Sequence, residues 1–318
     1  MCIIDKKGTT IMNVLLIGGN GFIGSHLVDK LLEAGHKVRV FDKYEESYRK
    51  PLPEVDYRFG DFSNRGLLAD ALAGIDNVVH LISTTLPKTS NDDPVFDVQS
   101  NVVESIFLLE QCVARKIKRV IFISSGGTVY GKPETLPIGE NSPTDPKCSY
   151  GITKLTIEKY LALFNLLYGL DYVVLRPSNA YGERQNPNNI QGAVTVFLSK
   201  VARGEPIEIW GDGDVVRDYI YIDDLVEGIY RAVIVNSPSR IFNLGSGTGY
   251  SLNEIVAAIS RLTGRDVKAE YKPKRSFDVS RIILDISRAR QELRWKPSTS
   301  LDSGIMKTWA FIKELNQI

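Results

Sequence analysis

A glycine cluster near the start of the chain restricts the fold more than any other feature. Gly18, Gly21 and Gly24 are spaced G-x-x-G-x-x-G. Before them, residues 14–17 form a short apolar run with β-branched ends, which reads as a buried strand. After them, residues 22–32 repeat apolar side chains at helical spacing and stop at Ala34-Gly35. Strand, glycine turn and helix in that order make a nucleotide-binding crossover. Gly18 permits a turn that a side chain would block. Gly21 lets the backbone approach a pyrophosphate, and Gly24 lets the helix lie tight on the strand. The helix N-terminus, from Phe22 and Ile23 on, then offers free N–H groups and a positive dipole end to phosphates. Residues 38–42 read as the next strand, with an acid at its end. Asp42 is placed to accept hydrogen bonds from an adenosine ribose diol and to repel a 2′-phosphate. NAD is therefore expected over NADP, although Arg39 and Lys43 pull slightly the other way.

Past Asp42 the pattern repeats. Residues 43–54 are polar, contain Pro51 and Pro53, and read as a loop. Residues 57–61 read as a short strand ending in Gly60-Asp61, a helix starts at Asn64 and runs to about residue 72, and 77–82 is another buried strand. Residues 92–115 carry Val98, Val102, Ile106, Leu109 and Val113 on one helical stripe, and 118–124 is again a strand. This alternation predicts an α/β fold on a parallel, doubly wound Rossmann sheet. Ligands of such sheets sit at the carboxyl ends of the strands.

Composition narrows the chemistry. A chain of 318 residues, 43% hydrophobic and 24% charged, can bury a full core, and its net charge of +1 gives no pull toward nucleic acid or a membrane surface. No apolar run is long enough to span a bilayer. Cys2, Cys112 and Cys148 are too few and too scattered for a disulfide frame or a zinc site, so a cytoplasmic location is expected. His26, His36 and His80 build neither a metal site nor a Ser-His-Asp triad. Chemistry must come from Tyr, Lys, Ser, Thr and carboxylates. Residues 1–11 lack the apolar core of a secretory signal and read as a mobile tail, with Met12 an alternative start.

The strand ending near Ser124 runs into Ser124-Ser125-Gly-Gly-Thr128-Val-Tyr130-Gly131, small residues that allow a ligand close. Ser149-Tyr150-Gly-Ile-Thr-Lys154 then opens a helix to about residue 168. Tyr150 and Lys154 are four residues apart and share a helix face. A free phenol titrates near ~10, too high for a base at neutral pH. A nearby ammonium favours the phenolate, and a cationic nicotinamide would favour it further. The pair can then take a proton from an alcohol while hydride leaves the same carbon.

Together these motifs resemble the extended short-chain dehydrogenase/reductase family, and within it the nucleotide-sugar 4-epimerases typified by UDP-galactose 4-epimerase. The resemblance runs from about residue 13 to 314 and includes Arg176-Pro-Ser-Asn179 and Arg217-Asp-Tyr-Ile-Tyr-Ile-Asp223. It implies Asp61 and Phe62 beside the adenine, Leu81, Ser83, Asn101 and Ser124 along the cofactor channel, and Pro177 by the nicotinamide. Lys154 would also hold the nicotinamide ribose. On the substrate side it implies Asn179 and Arg217 at the diphosphate, Ile209 and Trp210 near the base, and Arg275 and Asp278 closing over the nucleotide. Without the resemblance, Arg217 reads as a surface salt bridge or solvated charge beside a turn, and Arg275 equally as a solvated face in a basic run.

Departures from the family shape the expectation. Many members carry Ser or Thr where this chain has Gly126, so the substrate-orienting hydroxyl must come from Ser125 or Thr128. Gly126-Gly127-Thr128 replaces the Thr-Asp-Glu of the dehydratases, which argues against loss of water; the absence of any His beyond His80 argues against the GDP-fucose-type route. The resemblance implies C4 epimerisation of a UDP-hexose on resident NAD through a 4-keto sugar. Ile282, intermediate in size at the position that gauges the C2 substituent, leaves plain and N-acetyl sugars open, and Arg281 is a candidate partner for a uronate. A reductase of nucleotide 4-keto sugars would use the same residues; a dinucleotide-sensing regulator would usually have lost the Tyr/Lys pair. The cofactor domain is expected over residues 12–177, with 241–249 returning to its sheet, and a smaller C-terminal substrate domain over 178–240 and 250–318. Helices 92–115 and 149–168 match the pair that builds a four-helix homodimer bundle in this family, although their stripes also suit ordinary packing on the sheet.

Overall fold

The computed structural model describes residues 11–187, 192–273 and 279–316. The chain opens with β1 (Asn13–Ile17), α1 (Phe22–Glu33), β2 (Lys37–Asp42), β3 (Val55–Phe59), α2 (Arg65–Ala71) and β4 (Asn77–His80). A helical run follows as α3 (Pro94–Asp97), a π-helical stretch Val98–Val103 and α4 (Glu104–Ala114). Then come β5 (Arg119–Ile123), α5 (Ser149–Tyr168), β6 (Asp171–Pro177), β7 (Asn179–Tyr181), α6 (Ala193–Arg203), β8 (Ile207–Trp210), β9 (Val216–Tyr221) and α7 (Ile222–Ile234). β10 (Ile241–Leu244), β11 (Gly249–Ser251), α8 (Leu252–Thr263), β12 (Ala269–Lys272), β13 (Arg281–Ile282), α9 (Ser287–Glu292) and α10 (Leu301–Asn316) complete it.

Among the described residues the central sheet has seven strands, ordered β10-β6-β5-β4-β1-β2-β3. Every pairing in it is parallel. The order reverses between β1 and β4, and ligands of doubly wound sheets enter at that crevice. β1 is apolar on both faces because both are covered. Val14 and Leu16 pack with Leu27 and Leu31 of α1, whereas Leu15 and Ile17 pack with Leu68 of α2, Leu108 of α4 and Ile157 of α5. β9 lies between β11 and β13 in a smaller sheet, and β7 also pairs with it.

Three elements have a boundary two residues away from the one read in the sequence. The strand expected over 57–61 ends at Phe59. Gly60 instead donates its N–H to the Asp42 carbonyl (2.9 Å), and Asp61 turns back to accept from the Ser63 hydroxyl at 2.7 Å. The strand expected over 77–82 stops at His80, where the chain leaves as the loop toward α3. The helix expected over 92–115 begins at Pro94, with the Asp93 carboxylate capping the Phe96 N–H at 2.9 Å, and contains the π-helical stretch. Apolar periodicity does not register a π turn, because one extra residue barely disturbs a stripe.

Candidate active site

The glycine loop is built as its spacing requires. Gly18 holds φ +87°, a conformation that disfavours any side chain, and its N–H donates to the Phe41 carbonyl at 2.9 Å. A Cβ at Gly24 would press on the Gly18 carbonyl and stand 2.6 Å from Gly19 Cα. Gly21 is exposed, and a Cβ there meets only the Gly18 carbonyl at 3.5 Å, so its bare face opens outward. The first N–H groups of α1 are left without intrahelical partners beside that face. Asp42, at the end of β2, accepts from the Asn20 N–H at 3.0 Å, which ties the acid to the loop, and burial pushes its carboxyl up. Asn20, which the spacing did not single out, also donates to the Tyr44 carbonyl at 2.7 Å. Arg39 bonds Asp56 (2.7 Å) and the Ala71 and Ala73 carbonyls, and Lys43 pairs with Asp61 at 3.0 Å. Asp61 is held at about 2, first by the Ser63 hydroxyl and N–H and then by Lys43. Both cations thus have carboxylate partners, which removes the reservation against NAD.

Two cavities meet at Ser83. One, of about 670 Å³, is bounded by Asp42, Asp61, Phe62 and Ser83. The other, of about 480 Å³, runs from Phe22, Ile23 and Leu81 past Ser83 to Tyr150, Lys154 and Pro177. A glycine cradle, an acid at the strand end and a channel on past both form a site that fits a dinucleotide.

Tyr150 and Lys154 line the second cavity from the first turns of α5. Lys154 is buried; its ammonium donates to the Ile123 carbonyl at 2.9 Å and stands 5.6 Å from the Tyr150 ring centroid. Burial pushes Lys154 down to about 8. It pushes the Tyr150 phenol well up, with Cys148 and Asp97 acting in the same direction. The expected lowering of Tyr150 by its neighbour is therefore corrected: in the protein alone, desolvation raises the phenol instead. A phenolate needs a further positive charge in the cavity, which an oxidised nicotinamide carries.

The hydroxyl wall distinguishes Ser125 from Thr128 in one respect. A Cβ at Gly126 would stand 2.6 Å from Leu284 and 2.9 Å from the Arg176 carbonyl, so no Ser or Thr fits there. Ser125 and Thr128 both line the cavity, but only the Thr128 hydroxyl is buried without a partner. An unpaired buried hydroxyl costs stability unless a ligand completes it. Thr128→Val is therefore expected to lower turnover about tenfold to a hundredfold, and Ser125→Ala by less. Steady-state kinetics of both variants checks the order.

Asn179, the first residue of β7, donates to the Asp218 carbonyl at 3.0 Å and lines the cavity together with Arg217. Several of the expected site residues are also tied into the surrounding structure. Ser124 lines the cavity and is largely buried; its hydroxyl bonds Glu158, which also holds Arg176 in a buried ion pair. Asn101 is buried and bonds Thr84 and Asp97. Ile209 is fully buried in the core and Trp210 is exposed on the opposite face of β8; neither lines the cavity. β8 pairs with β12 in a two-stranded sheet separate from the central one. Ile282 is buried with Val129, Tyr130 and Leu284, and Arg281 is exposed, its charge acting on Glu254. Arg275 and Asp278 lie outside the described residues. Gln185 and Gly192 also line the cavity, and no motif marked them. Among the described residues no group of His, Cys, Asp or Glu is arranged to hold a metal ion.

A family model described as the NAD dependent epimerase/dehydratase family matches residues 14–245. A putative UDP-glucose 4-epimerase of Methanocaldococcus jannaschii is 35% identical over 306 residues, 96% of this chain and 99% of that protein. The crystal structure of a UDP-glucose 4-epimerase of Thermotoga maritima with UDP-glucose superposes with a TM-score of 0.91 at 35% identity, covering 96% of this chain and all (100%) of that one. A Thermus thermophilus UDP-glucose 4-epimerase in complex with NAD does so with a TM-score of 0.88 at 32% identity, covering 95% and 99%.

Proposed function

The chain belongs to the NAD-dependent epimerase/dehydratase family, and from that premise we propose that it interconverts the C4 epimers of a UDP-hexose. The observation that carries this reading is a channel leading from the glycine cradle and Asp42 to Tyr150, Lys154 and the Thr128 hydroxyl. Bound NAD supplies the hydride acceptor and then the donor, so no net redox occurs. Tyr150 takes the proton of the 4-hydroxyl and later returns it. Lys154 keeps positive charge beneath the phenol and holds the nicotinamide ribose. Thr128 orients the sugar, with Ser125 beside it. Asn179 and Arg217 grip the diphosphate, so the 4-keto sugar turns over without leaving, an advantage of tethering over free encounter.

Lys154 and Arg217 are the cationic side chains among the described residues of the cavity wall, and both have tasks. UDP-glucose and UDP-galactose are the pair we assign, in keeping with the UDP-glucose of the similar Thermotoga maritima structure. Incubation of purified protein with UDP-glucose, UDP-GlcNAc and UDP-GlcA, with no cofactor added, tests this by separation of the 4-epimers. Conversion of UDP-glucose supports the reading; conversion only of UDP-GlcA overturns the sugar assignment. Turnover that consumes added NADPH moves the protein to the 4-keto-sugar reductases.

The finer setting is also our reading: a cytoplasmic enzyme feeding polysaccharide biosynthesis, with residues 12–177 and 241–249 holding the cofactor and 178–240 and 250–318 the sugar nucleotide. Val98 and Val103 beside α4, and Ile152, Leu163 and Leu166 on α5, are exposed apolar side chains on neighbouring helices. They support a homodimer through a four-helix bundle. Sedimentation is expected to give twice the chain mass, and Leu163→Asp with Leu166→Asp to give the monomer; a monomeric wild type would remove the dimer.

A further inference from the structure

Asp97 is fully buried at the end of α3, and no sequence motif marked it. One carboxylate oxygen, Oδ2, accepts from the Ser149 hydroxyl at 2.6 Å and the Thr153 hydroxyl at 2.8 Å. These residues immediately precede Tyr150 and Lys154. The other oxygen, Oδ1, accepts from the Thr85 hydroxyl at 2.5 Å and the Asn101 amide at 3.0 Å. Asn101 in turn accepts from the Thr84 N–H at 3.0 Å, and the Thr85 carbonyl accepts from the Ser83 hydroxyl at 3.0 Å. Ser83 borders both cavities. One carboxylate thus grips the catalytic helix with one oxygen and the cofactor wall with the other.

The rest of the junction depends on the same contact. α5 has no side-chain cap of its own at Cys148. Its first N–H groups are met from outside, that of Ser149 by Asn91 at 2.9 Å and that of Tyr150 by Ser90 at 3.0 Å. Both lie on the loop that Asp97 holds through Thr85. The π-helical stretch beginning at Val98 starts directly after Asp97 and carries Asn101, which also donates to the Asp97 carbonyl at 3.1 Å. Such one-turn insertions interrupt the regular helix where a site needs a side chain aimed differently.

We propose that Asp97 is a positioning residue, fixing Tyr150 and Lys154 in register with the cofactor wall through its hydrogen bonds to Ser149, Thr153, Thr85 and Asn101. This rests on the epimerase reading for its kinetic arm and on the dinucleotide site alone for its binding arm. A misplacement of about 1 Å at a reacting centre costs on the order of a hundredfold in rate. Asp97→Asn is therefore expected to lower kcat per folded molecule by roughly that factor, with KM for UDP-glucose little changed and NAD+ bound about tenfold more weakly by calorimetry. Thr153→Val removes the helix arm and is expected to lower kcat while sparing NAD+ affinity. Thr85→Val removes the cofactor arm and is expected to weaken NAD+ with the smaller effect on kcat. Asp97→Asn combined with Thr153→Val should be no worse in kcat than Asp97→Asn alone, because both remove one linkage. Multiplying losses, or a variant that melts earlier yet keeps its kcat and NAD+ affinity, would overturn the proposal. Should Asp97→Asn fail to fold, the two single-arm variants decide it by their opposite patterns. A wild type that binds NAD+ but turns over no UDP-sugar would sink the epimerase reading, while NAD+ affinity still tests Asp97.

Discussion

Tyr150→Phe is expected to reduce epimerisation by about a thousandfold or more while leaving the UDP moiety bound. General acid–base groups contribute typically about 10² to 10⁴ in rate, and Tyr150 is asked to serve twice, taking the proton and returning it. Its ring stays in place in the variant, so the wall of the cavity keeps its shape. Lys154 keeps its own bond to the Ile123 carbonyl, 2.9 Å, and does not collapse into the gap. Asn179 and Arg217, which also line the cavity, are untouched by the change. Two measurements separate this from a binding defect. UDP affinity should change by less than about threefold. The near-ultraviolet band of NADH, which appears when a UDP-hexose reduces the resident cofactor, should not form. Persistent turnover in Tyr150→Phe would mean that another group carries the proton and that the site is misassigned. Burial holds the Tyr150 phenol well above its ordinary range in the protein alone. Wild-type turnover near neutral pH must therefore depend on the oxidised cofactor being in place, and removal of NAD should abolish proton uptake as well as hydride transfer.

The cofactor half of the site was readable from the sequence because its demands are local. Gly18 needs a positive φ, Gly24 needs contact without a Cβ, and Asp42 needs a strand of the right length behind it. Spacing records all three. The Tyr150–Lys154 pair was readable for the same reason, since four residues on a helix fix a shared face. What the spacing could not carry is the electrostatic balance inside the finished site. The sign of the shift at Tyr150 depends on how completely the surrounding loops exclude water, and that is set by side chains brought in from separate strands. Ile209 and Trp210 show a second limit: a resemblance places a strand, while the alternation along β8 turns Ile209 into the core and Trp210 to the surface. Asp97 shows a third. Its partners Thr85, Asn101, Ser149 and Thr153 come from separate parts of the chain, and no periodicity links them. Gly126 was noticed as a departure, yet its reason is a tertiary contact with Leu284 that only the folded chain supplies.

Lys154→Met is expected to stabilise the folded protein near neutral pH while collapsing its activity. Lys154 is buried, and its ammonium is pushed from 10.5 to about 8 in the folded state, chiefly by desolvation, with Asp97 and Glu158 offsetting part of the shift. Holding that charge out of water costs about 3 kcal/mol at neutral pH. Methionine fills similar space without the charge, and the loss of the bond to the Ile123 carbonyl takes back about 1 kcal/mol. The net gain is on the order of 1–2 kcal/mol. The sign of its pH dependence follows from proton counting. Between the folded value of about 8 and the unfolded value of 10.5 the unfolded chain binds more protons, so wild-type stability rises with pH across that window. The variant has no such rise, and its advantage should be largest below about pH 8 and shrink toward pH 10. Denaturant unfolding of cofactor-free protein at both ends of the window reads this directly. A variant less stable than wild type at neutral pH, or an advantage that does not change with pH, would show that the ammonium is adequately paired where it lies. The expected outcome instead identifies a lysine retained against the stability of the fold, which is the pattern of a residue kept for its chemistry.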